Sequence, residues 1–180
     1  TPAHSEPPPG TPPPPRTDPA GGVRNGNKLQ GVIPGGSSMP VLPADVMMEM
    51  TMDFDALSKA GSGLGSGAVI VMDETTCMVK ACTRISRFYH MESCGQCTPC
   101  REGTGWMHRV LQRIVDGNGK QEDLELLRSA AGQFEGHTIC AFGEAAAWPV
   151  QGFLRQFWDE FEYYVEHGHS IVDDQKGKAA

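Results

Sequence analysis

Cysteines at positions 94, 97 and 100 stand at a strict spacing of three in Ser93-Cys94-Gly95-Gln96-Cys97-Thr98-Pro99-Cys100. Thiolates are soft metal ligands, and a tight loop of this spacing can wrap three corners of an iron–sulfur cubane, which needs one thiolate on each of its four irons. The fourth ligand must then come from a distant part of the chain. Cys140, in Gly136-His137-Thr138-Ile139-Cys140, is the single cysteine after the triplet, so the need for a fourth thiolate selects it. The spacing therefore predicts one [4Fe–4S] cluster on Cys94, Cys97, Cys100 and Cys140. A structural zinc site with the same four ligands is the rival, although zinc sites usually grip through two separated pairs rather than a triplet and a single. Disulfides fit poorly, because three thiols crowded into seven residues cannot pair freely among themselves.

Neighbouring residues agree with an anionic cluster. Gly95 removes a side chain where the loop must pass close by. Thr98-Pro99 reads as an N-cap followed by proline at the first helical position. A helix starting there turns free N–H groups and its positive end toward the site, and Arg101 adds a charge. Together these favour the reduced, more negative state. Cys77 and Cys82 read instead as small buried apolar residues of a helix. Other candidates are weaker. Gly61-Ser62-Gly63-Leu64-Gly65-Ser66-Gly67 precedes a strand and lacks the Lys-Ser/Thr of a phosphate loop, so it reads as a flexible turn. His90, His108 and His137 read as surface or packing residues, with His137 near enough to Cys140 to bond beside it. Trp106, Trp148 and Trp158 fit helix packing. No Ser/His/Asp or paired-carboxylate set supports hydrolysis.

The elements that must position the cysteines are mainly helical. Met78, Ala81, Cys82, Ile85 and Phe88 mark one helix face; Trp106, Val110, Leu111, Ile114 and Val115 a second, stopped by Gly117 and Gly119. Leu124, Leu127, Ala130, Ala131 and Phe134 mark a third. Phe153, Leu154, Phe157, Phe161, Tyr164 and Val165 mark a fourth, beginning near Pro149. Four amphipathic helices with short connections predict an antiparallel bundle over 74–167. Before it, over 21–73, the signals are short: a strand at Gln30–Ile33 closed by Pro34-Gly35-Gly36-Ser37, a helix over Asp53–Ala60 ended by Gly61, and a buried strand at Ala68–Met72. This is an incomplete α+β segment. Nine of the fourteen prolines lie in residues 1–20, which predicts an extended or disordered tail. Residues 168–180 are polar and predict a flexible end.

Composition narrows the function classes. The 180 residues carry a formal charge of −7, which disfavours a phosphate backbone, so no nucleic-acid partner is expected. No apolar run approaches the length of a membrane span and no secretory signal is visible, so direct membrane insertion is not expected. The chain opens on Thr1 rather than Met, as a piece of a longer protein would.

Glu92-Ser93-Cys94-Gly95-Gln96-Cys97-Thr98-Pro99-Cys100-Arg101-Glu102-Gly103-Thr104-Gly105-Trp106 resembles the cluster-binding segment of the NADH-binding, flavin-carrying subunit of respiratory complex I. The resemblance continues through Ile139-Cys140-Ala141-Phe142-Gly143-Glu144-Ala145-Ala146-Ala147-Trp148-Pro149-Val150, and reaches back to Val32-Ile33-Pro34-Gly35-Gly36-Ser37-Ser38, covering roughly Gly21 to Val165. It implies a mainly α fold, with a C-terminal four-helix bundle carrying one [4Fe–4S] cluster behind a partial β-grasp-like domain. In that family NADH reduces FMN, and the cluster takes electrons singly toward quinone. The implied partners are the other peripheral-arm subunits, especially the small [2Fe–2S] subunit and the large multi-cluster subunit. The implied location is cytoplasmic, or matrix-facing in mitochondria, with membrane attachment only through the complex. The FMN- and NADH-binding domain that precedes this region in the family has no counterpart here, so the chain alone is not expected to oxidise NADH. Diaphorase subunits of NAD-linked hydrogenases and formate dehydrogenases share the cysteine triplet and form the alternative, beside a zinc module without redox function or a truncated gene product.

Overall fold

The structure is a computed structural model that describes residues 22–178; the proline-rich stretch over 1–20 lies outside the described residues. The chain forms two compact units that divide between Thr76 and Cys77.

In the first unit, β1 (Leu29–Ile33) is the central strand of an antiparallel sheet of order β2-β1-β3, with β2 at Leu42–Pro43 and β3 at Ile70–Asp73. Val32 stands opposite both Leu42 and Val71. It packs with Leu42, Met47 and Leu57 into a small core closed by α1 (Ala44–Glu49) and α2 (Phe54–Lys59). Asp53 caps α2, its carboxylate accepting from the Ala56 N–H at 2.8 Å. The apolar run Ala68–Met72 predicts a buried strand. It is instead an edge strand with Ile70 and Val71 partly exposed and only Met72 buried, since a three-stranded sheet leaves β3 one free side. The glycine-rich segment is not loose: Ser66 N–H donates to the Gly35 carbonyl and Gly36 N–H to the Ala68 carbonyl.

The second unit is helical: α3 (Met78–Glu92), α4 (Thr98–Arg113), α5 (Gln121–Phe134), α6 (Phe142–Gln156), α7 (Trp158–His167) and α8 (Ile171–Lys178). Helices α3 to α6 pack on one another, and Met107, Leu111, Ile114, Leu127 and Phe153 fill the centre at 1% exposure or less. The periodicity places the buried face of α3 along Met78, Ala81, Cys82, Ile85 and Phe88. The structure rotates it by roughly a quarter turn: Phe88 is half exposed, while Thr83, Ser86 and Tyr89 are buried. Small hydroxyl residues let the helices approach closely, and Thr83 satisfies its own oxygen by donating to the Val79 carbonyl at 2.7 Å. Trp106 likewise stands outward, with Thr104 and Met107 inside in its place.

The expected fourth helix is two. Helix α6 begins at Phe142, carries Pro149 within it, and ends at Phe157, whose φ of −131° and ψ of 33° break the run before α7. Pro149 costs one backbone bond but is itself buried, so packing outweighs the local penalty. The polar stretch after His167 forms α8, held by buried Val172 and Ser170 and by an ion pair of Lys80 with Asp173 at 3.2 Å. No helix among the described residues is long and apolar enough to cross a membrane.

Candidate metal centre

The predicted cysteines lie on two segments of the helical unit. The first is the turn between α3 and α4. Cys94 is exposed, Cys97 half-buried and Cys100 buried. Cys97, rather than the predicted Thr98, is the N-cap residue of α4, which moves Pro99 to the second helical position. Gly95 adopts a left-handed φ of 74°, where a β-carbon would be strained. A methyl there would touch only the Arg101 side chain, at 3.7 Å, so backbone conformation and not crowding is what requires glycine. Arg101 donates to the Gly95 carbonyl at 2.8 Å and to Thr98 Oγ1 at 3.4 Å, while pairing with Glu102 at 3.0 Å. It therefore staples the loop besides supplying charge. Ser93 Oγ lies 3.2 Å from Cys100 Sγ and accepts from the Gly95 N–H at 3.4 Å.

The second segment is Glu135–Ala141, between α5 and α6. Glu135 clamps it to α6: one carboxylate oxygen accepts from Trp148 Nε1 at 2.5 Å, the other from Gln151 Nε2 at 2.7 Å. The Gly136 N–H donates to Glu144 at 3.0 Å, and Thr138 Oγ1 donates to the Cys140 carbonyl at 2.8 Å. Cys140 itself is exposed. Gly143 lets this segment lie against α6, because a β-carbon there would fall 2.2 Å from Thr138 Oγ1.

The electrostatics join the two segments. The Cys97 thiol is drawn below the ordinary cysteine range, first by the backbone N–H of Ile139, then by that of Cys100, with Arg101 contributing. Ile139 precedes Cys140, so the loop that carries the distant cysteine reaches the triplet. The cap at Cys97 stops short of a full side-chain hydrogen bond, yet the N–H groups favour the thiolate. Burial pushes the Cys100 thiol up; the Ser93 hydroxyl pulls it back, and Cys97, Cys140 and Cys94 raise it further. Cys100 thus responds to cysteines of both segments. Among the described residues no group of three or more His, Cys, Asp or Glu is arranged to hold a metal ion.

Cys82 is fully buried on α3 and burial drives its thiol far up, while Cys77 Sγ caps α3 by accepting from the Lys80 N–H at 3.5 Å. His137 turns back to the Glu135 carbonyl. Glu135, Ser93, Thr138 and Thr104, whose hydroxyl donates to the Cys100 carbonyl at 2.7 Å, are positioning residues that sequence reasoning misses. Glu135 meets partners 13 and 16 residues away on another helix, a relation that carries no spacing signal.

Residues 80–164 match the family described as the NADH-ubiquinone oxidoreductase-F iron-sulfur binding region. The F subunit of NADH-quinone oxidoreductase from Rickettsia typhi (strain ATCC VR-144 / Wilmington) is 55% identical over 149 residues, covering 82% of this chain and 35% of that protein. The protein of the same name from Rickettsia conorii (strain ATCC VR-613 / Malish 7) is 57% identical over 148 residues, with 82% and 35% covered. The chain spans about a third of the length of the curated relatives it matches. Among solved structures, the NAD+-reducing [NiFe]-hydrogenase in its H2-reduced state superposes with a TM-score of 0.70 at 28% identity, over 77% of this chain and 24% of that one.

Proposed function

We propose that the chain passes electrons through one [4Fe–4S] cluster held by Cys94, Cys97, Cys100 and Cys140, as the match of residues 80–164 to the NADH-ubiquinone oxidoreductase-F iron-sulfur binding region supports. The observation that carries the reading is the cysteine triplet with Cys140 inside the matched region, and the Ile139 N–H that lowers the Cys97 thiol supports it. A cubane takes one thiolate per iron, whereas tetrahedral zinc draws four sulfurs to about 2.3 Å from one centre. A triplet on one turn and a single thiol on another suit the wider spread of the cubane. When bound, such a cluster accepts and releases one electron at a time.

The chain's own residues prepare the donors. The N–H groups of Ile139 and Cys100 favour the Cys97 thiolate, and Ser93 lies within hydrogen-bond distance of Cys100 Sγ. Arg101 fixes the loop through the Gly95 carbonyl, and Glu135 fixes the Cys140 segment to α6. The same reading makes this the C-terminal part of the NADH-binding component of an NADH:quinone oxidoreductase. Its FMN would bind in the domain preceding this region, and the small [2Fe–2S] and large multi-cluster subunits would be its neighbours at the membrane periphery, on the cytoplasmic or matrix side. Identity of 55% to the Rickettsia typhi quinone oxidoreductase protein, against 28% to the hydrogenase, favours that complex over a hydrogenase diaphorase.

Anaerobic reconstitution tests the cluster. About four irons with matching sulfide per chain, and an EPR signal on reduction, are expected for a cubane. One zinc per chain with no visible absorption overturns the reading.

A further inference from the structure

Charge is strongly segregated along this acidic chain. Residues 78–113, which form α3, the cysteine turn and α4, hold six Lys or Arg against two Glu; the remainder holds nine against twenty Asp or Glu. On α3, Lys80, Arg84, Arg87 and Met91 recur at spacings of four, three and four, which puts them on one stripe. Lys80 is paired with Asp173. Arg84, Arg87 and Arg109 are exposed and have no carboxylate partner among the described residues.

Arg87 and Arg109 meet at the seam between the two helices. His90 of α3 lies at 6.0 Å from His108 of α4, ring stacked on ring. A β-carbon at Gly105 would meet the His90 ring at 2.9 Å and the Arg109 guanidinium at 3.1 Å, so glycine keeps room for both. Arg87 and Arg109 are close enough to disfavour a charge on His108, behind burial and His90, and His108 Nδ1 is buried without a hydrogen-bond partner. Like charges gathered around two imidazoles repel one another unless an anion lies over them. Met91 and Phe88, 67% and 50% exposed, supply the apolar contacts that together with arginine characterise interface centres.

We propose that the α3–α4 seam, anchored by Arg87 and Arg109 and continued by Arg84 on the α3 stripe, is a docking face for an acidic protein surface. Charge complementarity names the occupant: the face is cationic where the rest of the chain is anionic, so a second copy of this chain would meet it only through its acidic side. Helix α3 ends two residues before Cys94, so the docked partner lies beside the cysteine loop. Its use as an electron route rests on the cluster reading above; the docking itself does not.

A fluorescein-labelled decaglutamate peptide, followed by anisotropy with the full chain before and after cluster reconstitution, tests the face. Binding should weaken as salt rises, and Arg87→Gln with Arg109→Gln should weaken it about five- to tenfold at low salt. Lys59→Gln with Arg24→Gln, which removes the same charge elsewhere, should leave it within about twofold. Equal weakening by both pairs, no peptide binding to any chain, or equally effective competition by inorganic phosphate overturns the docking face. Iron and sulfide on the same samples separate the two readings: peptide binding that follows the arginines in a chain that takes up no iron supports the face and sinks only the cluster.

Discussion

Gly143→Ala probes how the Cys140 segment is seated on α6. In an open helix this change gains about 1 kcal/mol, because alanine loses less backbone entropy. Here the new methyl would lie 2.2 Å from Thr138 Oγ1 and 2.6 Å from its Cγ2, well inside contact, and overpacking of this kind costs about 1–3 kcal/mol. The clash outweighs the gain, leaving a net loss of about 1 kcal/mol and a fall in Tm of about 4 °C for a unit of this size. Thr138 sits in a loop and must give way. Its hydroxyl holds the Cys140 carbonyl at 2.8 Å, so the displacement falls on the cysteine. Thr138→Ala removes the two closest atoms and leaves its Cβ at 2.9 Å. It should restore most of the stability when combined with Gly143→Ala, with a coupling of about 1–2 kcal/mol in the double-mutant cycle. The assay is thermal unfolding of the cluster-free chain by circular dichroism, with iron per chain after reconstitution as a second readout. A Gly143→Ala chain that melts above the parent, binds iron equally and is additive with Thr138→Ala would refute the close seating.

Three further outcomes are expected. Cys140→Ser should lose or convert the cluster while Cys82→Ala, on the buried face of α3, lowers stability but leaves iron and sulfide unchanged; parental iron content in the Cys140 variant would remove it from the ligand set. Burial alone would raise the Asp123 carboxyl, but Arg113 and the Lys120 N–H outweigh it and hold it below the usual range. A depressed folded pKa stabilises above the unfolded value and is lost as pH falls through the folded one. Asp123→Asn should therefore cost about 1–3 kcal/mol at pH 7, and that cost should shrink as pH falls below the unfolded value near 3.8 and through the folded one, as melting across that range will read. The third concerns α8: Asp174, and then the His167 carbonyl, raise His169. A raised pKa favours the folded contact below the unfolded value near 6.5 and releases it as pH rises through the folded one. Amide exchange at Val172 should accelerate across that interval, and Asp174→Asn should lower the His169 midpoint in an NMR titration; an unmoved midpoint would disprove the pair.

How much is legible in the sequence differs by element. The α5 pattern is buried as its spacing indicates at Leu124, Leu127, Ala131 and Phe134, with Ala130 half-buried at its margin, because its apolar residues form one continuous stripe. On α3 the same rule finds Met78 and Cys82 but centres the face too far round, since hydropathy does not count buried small hydroxyls such as Thr83 and Ser86. The α6–α7 boundary is hidden because apolar residues continue across Phe157, and only the backbone there records the break.

For the site, the residues themselves determine the chemistry: three thiols at a fixed spacing, a glycine between them and a proline-led helix after them are local, and local geometry is written in neighbouring residues. Under the proposed cluster, the need for a fourth thiolate points to Cys140, the single cysteine after the triplet. Only the tertiary structure decides that its segment reaches Cys97, and by what means. The Glu135 carboxylate spans from the end of α5 to Trp148 and Gln151 on α6, and Gly143 leaves room for Thr138. Contacts across helices depend on how faces are rotated and packed, which no spacing along the chain encodes.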